Sequence, residues 1–443
     1  MPTKIGAYSL IVALLSVVPP AFAQSARPEH NWKEILPGLH LGGSFKTRVE
    51  YKDDFNFQRG RQDYLLTRTR LSLRYQPVEQ FEALIEGQDA RVFSERLDGI
   101  PPLNEDATPN IFADQLDLHQ AYVRVLVGTP EVPFQIKVGR QKFNLGAKRL
   151  VSSLEWVNTA RVWDALRVTI GDPKTRSLDV FASWLVPVYP DRFNDHKKTG
   201  NRYADSLFHG LYYTDLDLIP DGALEAYYLL RQNPDAEDQV HTLGARTASS
   251  AGLFGGDLEG AIQLGTYGDL DHMAYMFHAG AWVSATHNKR VVFSIAYNLG
   301  SGDGDPNDGD HETFDNLFPL NHAYYGYMDF FALMNLHNME GAVQAKPLPN
   351  LVLRAAYQGF FLVDATNDAW YNAGGGVVRP ASGKLSSGYV GNELDFTAVL
   401  KLLGGHLAIE GGYSHFFAGR YISQTGPAQN DADFLYLQLT ATL

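Results

Sequence analysis

Leu39-His40-Leu41-Gly42-Gly43-Ser44-Phe45-Lys46-Thr47-Arg48-Val49-Glu50-Tyr51 changes character at every step. Leu39, Leu41, Gly43, Phe45, Thr47, Val49 and Tyr51 share one face, and His40, Gly42, Ser44, Lys46, Arg48 and Glu50 share the other. Successive side chains of an extended chain point to opposite sides, so this strand meets an apolar phase on one face and water on the other. Lipid outside and an aqueous lumen inside a closed barrel require that pattern. Residues 64–76 repeat it: Leu65, Thr67, Thr69, Leu71, Leu73 and Tyr75 oppose Leu66, Arg68, Arg70, Ser72, Arg74 and Gln76. The period returns, less cleanly, at Phe134-Ile136-Val138, at Val291-Phe293-Ile295-Tyr297, at Leu351-Leu353-Ala355-Tyr357 and at Leu394-Phe396-Ala398-Leu400-Leu402. It closes the chain at Leu435-Leu437-Leu439-Ala441-Leu443. Such segments number about eighteen, each close to the length a tilted membrane strand needs.

The links between segments carry a second signal. Short turns are expected at residues 76–80, 128–133, 171–176, 219–222, 248–256, 286–289, 346–350 and 403–405. Between them fall mostly long links, at 52–63, 92–116, 142–160, 187–206, 300–331, 361–391 and 418–432, with short ones near Pro234 and Asp269. Short and long nearly alternate, as tight periplasmic turns and long outer loops would. A soluble β-sandwich has no reason to collect its long loops at one end.

Upstream, Lys4 precedes an apolar run from Ile5 to Val18, and Pro19-Pro20 and Ala21-Phe22-Ala23 follow it. That is the layout of a secretory signal with cleavage expected before Gln24. The resulting division is a signal peptide at 1–23, a short periplasmic segment at 24–38 and one barrel at 39–443. The expected fold is all-β: a transmembrane antiparallel up-and-down β-barrel of about 18 strands, in the outer membrane of a Gram-negative bacterium.

The chain has 443 residues, no cysteine and a formal charge of −13, which loss of Lys4 with the leader takes to −14. An acidic chain without a basic face is not a nucleic-acid binder, and an exported chain without cysteine has no disulfide framework. Fourteen histidines form no His-Glu-x-x-His pair, and no Gly-x-Ser-x-Gly elbow or phosphate-binding loop occurs. An enzyme is therefore not expected.

Two blocks stand apart from the strand pattern. One runs Val138-Gly139-Arg140-Gln141, Arg149-Leu150, Trp156-Val157-Asn158, Arg161 and Trp163-Asp164-Ala165-Leu166. The other is Phe314-Asp315-Asn316-Leu317-Phe318-Pro319 with His322, Tyr325-Gly326-Tyr327 and Asp329. These blocks resemble the alginate-export family of outer-membrane barrels, and the compatible strand layout extends over residues 39–443. The resemblance implies an eighteen-stranded barrel whose electropositive lumen passes a polyuronate chain. Two features depart from the family: Leu403-Gly404-Gly405 is a minimal turn where secretion channels carry a long one, and the chain ends in Leu443 rather than an aromatic residue.

Lumen-facing cations are the candidate site. Arg68, Arg70 and Arg74 share one strand face at about 6.6 Å spacing, hairpin pairing brings Lys46 and Arg48 alongside, and Arg124, Arg167 and Arg354 fall on the same side of their strands. Rings of Arg and Lys let a pore favour anions; the alternative is a lumen neutralised by acids such as Glu50, Glu82 and Glu86. Arg140 follows Gly139 where the alternation slips, which either turns it into the pore at a bulge or sets it to bond a carboxylate such as Asp164. Arg149 has the same two readings. Asp303, Asp305, Asp308 and Asp310 invite a structural calcium in an outer loop, although Gly309 and Phe314 break the helix-loop-helix calcium pattern. No other cofactor is implied. Tyr212, Tyr213, Tyr227, Tyr228, Phe416 and Phe417 are read most simply as interfacial girdles, with sugar stacking the alternative for the few that face inward.

The expected function is passive passage of an anionic polysaccharide or acidic sugar. The alternatives are a general or small-anion porin for uptake and, behind it, an outer-membrane enzyme or an adhesive barrel. Expected partners are the cargo, outer-membrane lipid, the barrel-insertion machinery and, for secretion, a periplasmic export partner. With every periplasmic turn short, closure is expected from an outer loop folded inward, first residues 300–331 and then 361–391, or from a separate partner.

Overall fold

The computed structural model describes residues 32–93, 111–129, 132–196, 200–286, 288, 290–384 and 386–443. The expected signal peptide, its cleavage site and part of the outer link at 92–116 lie outside them. Eighteen long strands make the wall. They are β1 (Leu39–Asp53), β2 (Arg61–Val78), β3 (Phe81–Phe93), β4 (Asp114–Gly128), β5 (Pro133–Gln141) and β6 (Trp163–Asp172). Next come β7 (Arg176–Leu185), β8 (Leu207–Asp215), β9 (Gly222–Asn233), β10 (Asp238–Ala251), β11 (Phe254–Tyr267) and β12 (Leu270–Ser284). The last six are β13 (Val291–Gly300), β14 (Leu336–Leu348), β15 (Leu351–Leu362), β16 (Tyr389–Leu402), β17 (Leu407–Ala418) and β18 (Ala432–Thr442). Each pairs antiparallel with its neighbours, and β1 closes the barrel on β18 in the register Ser44↔Thr442 to Asp53↔Asp433. Closure leaves no unpaired edge, a condition for a sheet in lipid. No helix among the described residues is long and apolar enough to cross a membrane; the strands do so.

Period-two chemistry sorts the side chains as expected. Lys46, Arg48, Arg68 and Arg70 are buried inside, whereas Val49, Leu71, Ile85 and Leu437 stand at least half exposed on the outer surface, where lipid covers them. The turn expected at 248–256 is tighter than its composition suggests. Pairing continues through Ala248↔Asp257 to Ala251↔Phe254. Gly252, at φ +60°, makes the reversal with Leu253, a left-handed conformation that costs glycine little.

The long loops do not stay outside. Residues 142–162, between β5 and β6, and 301–335, between β13 and β14, enter the barrel and bond to each other. Ser152 N donates to Phe318 O (2.8 Å), Phe318 N to Leu150 O (2.9 Å) and Leu320 N to Lys148 O (3.0 Å). A third loop, 363–388, packs on them: Trp370 Nε1 donates to Phe330 O (2.9 Å) and Ala332 N to Tyr371 O (3.1 Å). Apolar side chains drive this entry. Phe143, Phe314, Phe318, Phe331 and Trp370 are essentially fully buried against wall residues Trp163, Phe181, Phe208, Phe360 and Phe416, at roughly 1.5–3 kcal/mol of burial per large apolar side chain. The aromatic assignment is corrected here. Tyr212, Tyr227 and Phe416 face inward, Tyr212 and Tyr227 stacking at 5.4 Å; Phe417, one residue on, is exposed outside. A doublet of aromatics on a strand must place one ring on each side.

Candidate functional site

The first inward loop meets the β1–β2 wall, and the second packs on its far side. Glu155, near the tip of the first, receives Arg68 Nη2 at 3.0 Å, Arg70 Nη1 at 3.0 and 3.2 Å to its two oxygens, and Lys142 Nζ at 2.8 Å. Lys46 Nζ donates to the Glu155 carbonyl (3.2 Å), and Arg48 Nη1 donates to the Trp156 carbonyl (2.8 Å). Enclosure in the barrel would raise the Glu155 carboxyl, but Arg70, Lys142 and Arg68 hold it well below the usual carboxylate range. A carboxyl so depressed adds its stabilisation in full above that range and loses it only as pH falls well below it. Trp156 lies between the Arg48 guanidinium (3.8 Å to the ring centroid) and the stacked His322 imidazole (3.6 Å), and its Nε1 donates to Asp329 Oδ2 (3.1 Å). Thus Glu155-Trp156 is pinned to the basic wall on one side and to the second loop on the other.

The remaining candidate cations are distributed around the wall, each against its own partner. Arg74 lies over the Trp32 ring at 4.4 Å. Arg124 pairs with Glu82 (3.5 Å), Arg167 with Asp179 (2.6 Å) and Arg354 with Glu340 (2.7 Å). Arg48 also pairs with Glu50 (2.6 Å). Arg140 grips Asp164 with Nε and Nη2, at 2.9 and 3.0 Å. Gly139 has φ +117°, but the pairing runs in regular register through both residues, without the expected bulge, and the carboxylate-bonding alternative is the geometry present. Arg149 reaches across to β11 and β12, bonding Glu259 (2.6 Å), Asp257 (2.9 Å) and His278 Nε2 (2.6 Å). It fixes the first loop rather than opening toward water.

Asp303, Asp305, Asp308 and Asp310 are strung along the outer end of the second loop. Asp303 is buried and its N–H bonds Asp368 (3.0 Å). Three carboxylates cap backbone N–H groups two residues on: Asp303 that of Asp305 (3.1 Å), Asp305 that of Asn307 (3.2 Å) and Asp308 that of Asp310 (2.9 Å). Among the described residues no group of three or more acids and histidines is arranged to hold a metal.

Asp310-His311 joins the second loop to β12, with His311 Nδ1 3.0 Å from His272 Nδ1 and its ring stacked on Tyr267 at 3.9 Å. Burial, then the facing His272, with Arg202 adding to them against Asp315, push His311 down to about 4. A histidine lowered this way stabilises the docked loop fully above its unfolded value, near 6.5, and that contribution drains away as pH falls toward 4. Hydrogen exchange at residues 310–314 is therefore expected to quicken across pH 6.5 to 4, and to lose that dependence in His311→Gln.

Several site residues carried no assigned role in the sequence: Glu155, Lys142, Asp315 and Arg231. Glu155 is an acid in a long loop, and its strand-wall partners lie 85 or more residues away. Its neighbour Trp156 belongs to the first of the two blocks that stand apart from the strand pattern, which is the signal that would have pointed to it.

Comparison with known proteins places this geometry. The alginate export family model matches residues 38–435. No curated protein matches the chain. Among solved structures, OccD3 (OpdP) of Pseudomonas aeruginosa aligns with TM-score 0.62 at 13% identity, covering 94% of this chain and 93% of its own. The outer-membrane protein OprD of the same organism aligns with TM-score 0.62 at 11% identity, covering 94% and 96%. OpdK, solved with vanillate, gives 0.59 at 11% identity, covering 91% and 98%.

Proposed function

This chain belongs to the alginate export family and has the fold of an outer-membrane channel; on that footing we propose that its cargo is an anionic polysaccharide or acidic sugar, moved passively. One observation carries the reading: Lys46, Arg48, Arg68, Arg70 and Lys142 converge on one side of the narrowed lumen, at the tip of an inward loop. Cations there lower the cost of bringing a carboxylate into a confined pore, and several weak sites in sequence let it leave again. Wall acids pair with several of the other candidate cations, Glu82 with Arg124, Asp179 with Arg167 and Glu340 with Arg354, so the proposed selectivity is local to this arc. The turn Leu403–Gly405 is too small to cover the periplasmic mouth, so in this reading the inward loops narrow the resting pore, and a periplasmic export partner is needed only if the cargo is a long polymer delivered for secretion.

The proposal is tested by Arg68→Gln/Arg70→Gln in planar bilayers. Reversal potentials should move toward cations and block by oligouronates should weaken, with both effects shrinking as salt rises. Unchanged anion preference at low salt would remove the arc as the filter. A second reading, a small-anion channel, is favoured by the loop-filled outer half of the lumen. It predicts that glucuronate permeates while oligouronates only block.

A further inference from the structure

The cations of the β1–β2 wall already hold a carboxylate, and it is the protein's own. Both oxygens of Glu155 are engaged by two guanidiniums and one ammonium at 2.8–3.2 Å, the charge-assisted arrangement that a free carboxylate would take. We infer that Arg68, Arg70 and Lys142 form a carboxylate-binding subsite in which Glu155 is the resident ligand, displaced by the carboxylate of an incoming sugar acid. The inference rests on the anionic-cargo reading and specifies how that cargo is admitted.

Exchange needs only the side chain to move. The main chain at this tip is tied independently: Lys46 and Arg48 hold the two carbonyls, Trp156 is sandwiched between Arg48 and His322, and Asn158 Nδ2 donates to the carbonyls of Thr67, Arg91 and Phe112 at 2.9–3.2 Å. The Glu155 side chain is one-third exposed, whereas the Arg68 and Arg70 side chains beneath it are 10% and 2% exposed. An arriving anion therefore meets Glu155 at the lumen surface and the arginines only once Glu155 rotates aside. Swapping one carboxylate for another never leaves the buried guanidiniums without a counter-charge, which would be the expensive state. A cation or neutral sugar has nothing to offer in exchange and leaves the subsite shut, so discrimination is built into the resting state. The tethered acid also competes for the site after each entry, which keeps the bound cargo from being held too tightly to leave.

Glu155→Gln tests this, with the full chain in planar bilayers and glucuronate as probe. The reversal potential should shift toward anions, and glucuronate block should tighten about tenfold at low salt, the scale of one close charge interaction. Glu155→Asp, which keeps the charge, should stay near wild type and separates the charge from any effect on folding. Equal glucuronate block in Glu155→Gln and wild type overturns the inference, as does block in neither. If Glu155→Gln tightens glucuronate block while oligouronates neither block nor pass either protein, the subsite stands and the polymer cargo falls.

Discussion

Replacing residues 314–331 by a short Gly-Ser linker raises single-channel conductance several-fold while the barrel still migrates as a folded, heat-modifiable species. This stretch places Phe314, Phe318, Tyr325, Phe330 and Phe331 inside the wall, and it supplies His322 and Asp329, against which Trp156 rests. A barrel of about eighteen strands is wide enough for an aqueous channel once its lumen is empty. Removing residues 302–310 alone has a much smaller effect, because Asp305, Asp308 and Asp310 are exposed outer turns rather than lining. The comparison separates the part of the second loop that narrows the pore from the part that only caps it. If both deletions leave conductance unchanged, the second loop is not the constriction.

Arg231→Met is the most damaging single substitution expected in the wall. Its guanidinium is fully buried on β9, between Asp315 of the second loop (2.5 Å) and Asp238 of β10 (3.1 Å). Truncating one member of a buried charge network strands the others and costs about 3–5 kcal/mol. Asp238 keeps Arg202 at 3.1 Å, so the stranded group is Asp315. The double variant Arg231→Met/Asp315→Asn should therefore recover much of the loss, since it removes the stranded charge and keeps an oxygen to accept the Leu317 N–H (2.8 Å). Urea unfolding in detergent micelles reads both. A loss below about 1 kcal/mol in Arg231→Met would mean that this pair does not anchor the loop.

Strand number, facing and loop rhythm were legible in the sequence because they are local. A residue's side of a membrane strand follows from parity alone, so Leu71 could be set outside and Arg70 inside with no knowledge of their neighbours. Lys46, Arg48, Arg68 and Arg70 were found in the same way. Parity also explains the one misreading on the wall: Tyr212-Tyr213, Tyr227-Tyr228 and Phe416-Phe417 were assigned as units, although each doublet straddles the sheet.

What occupies the lumen was decided only by tertiary structure. Whether the acid of a long loop lies in solvent or against an arginine depends on where the loop goes, and that depends on apolar groups that meet only after the barrel closes. Phe318 finds Trp163 and Phe208, Arg149 finds Glu259 110 positions away, and Glu155 finds Arg70 85 positions away. Sequence determined a wall with cations on its inner face; the closed barrel, by drawing two loops inside, determined that those cations would be met by the chain's own carboxylates.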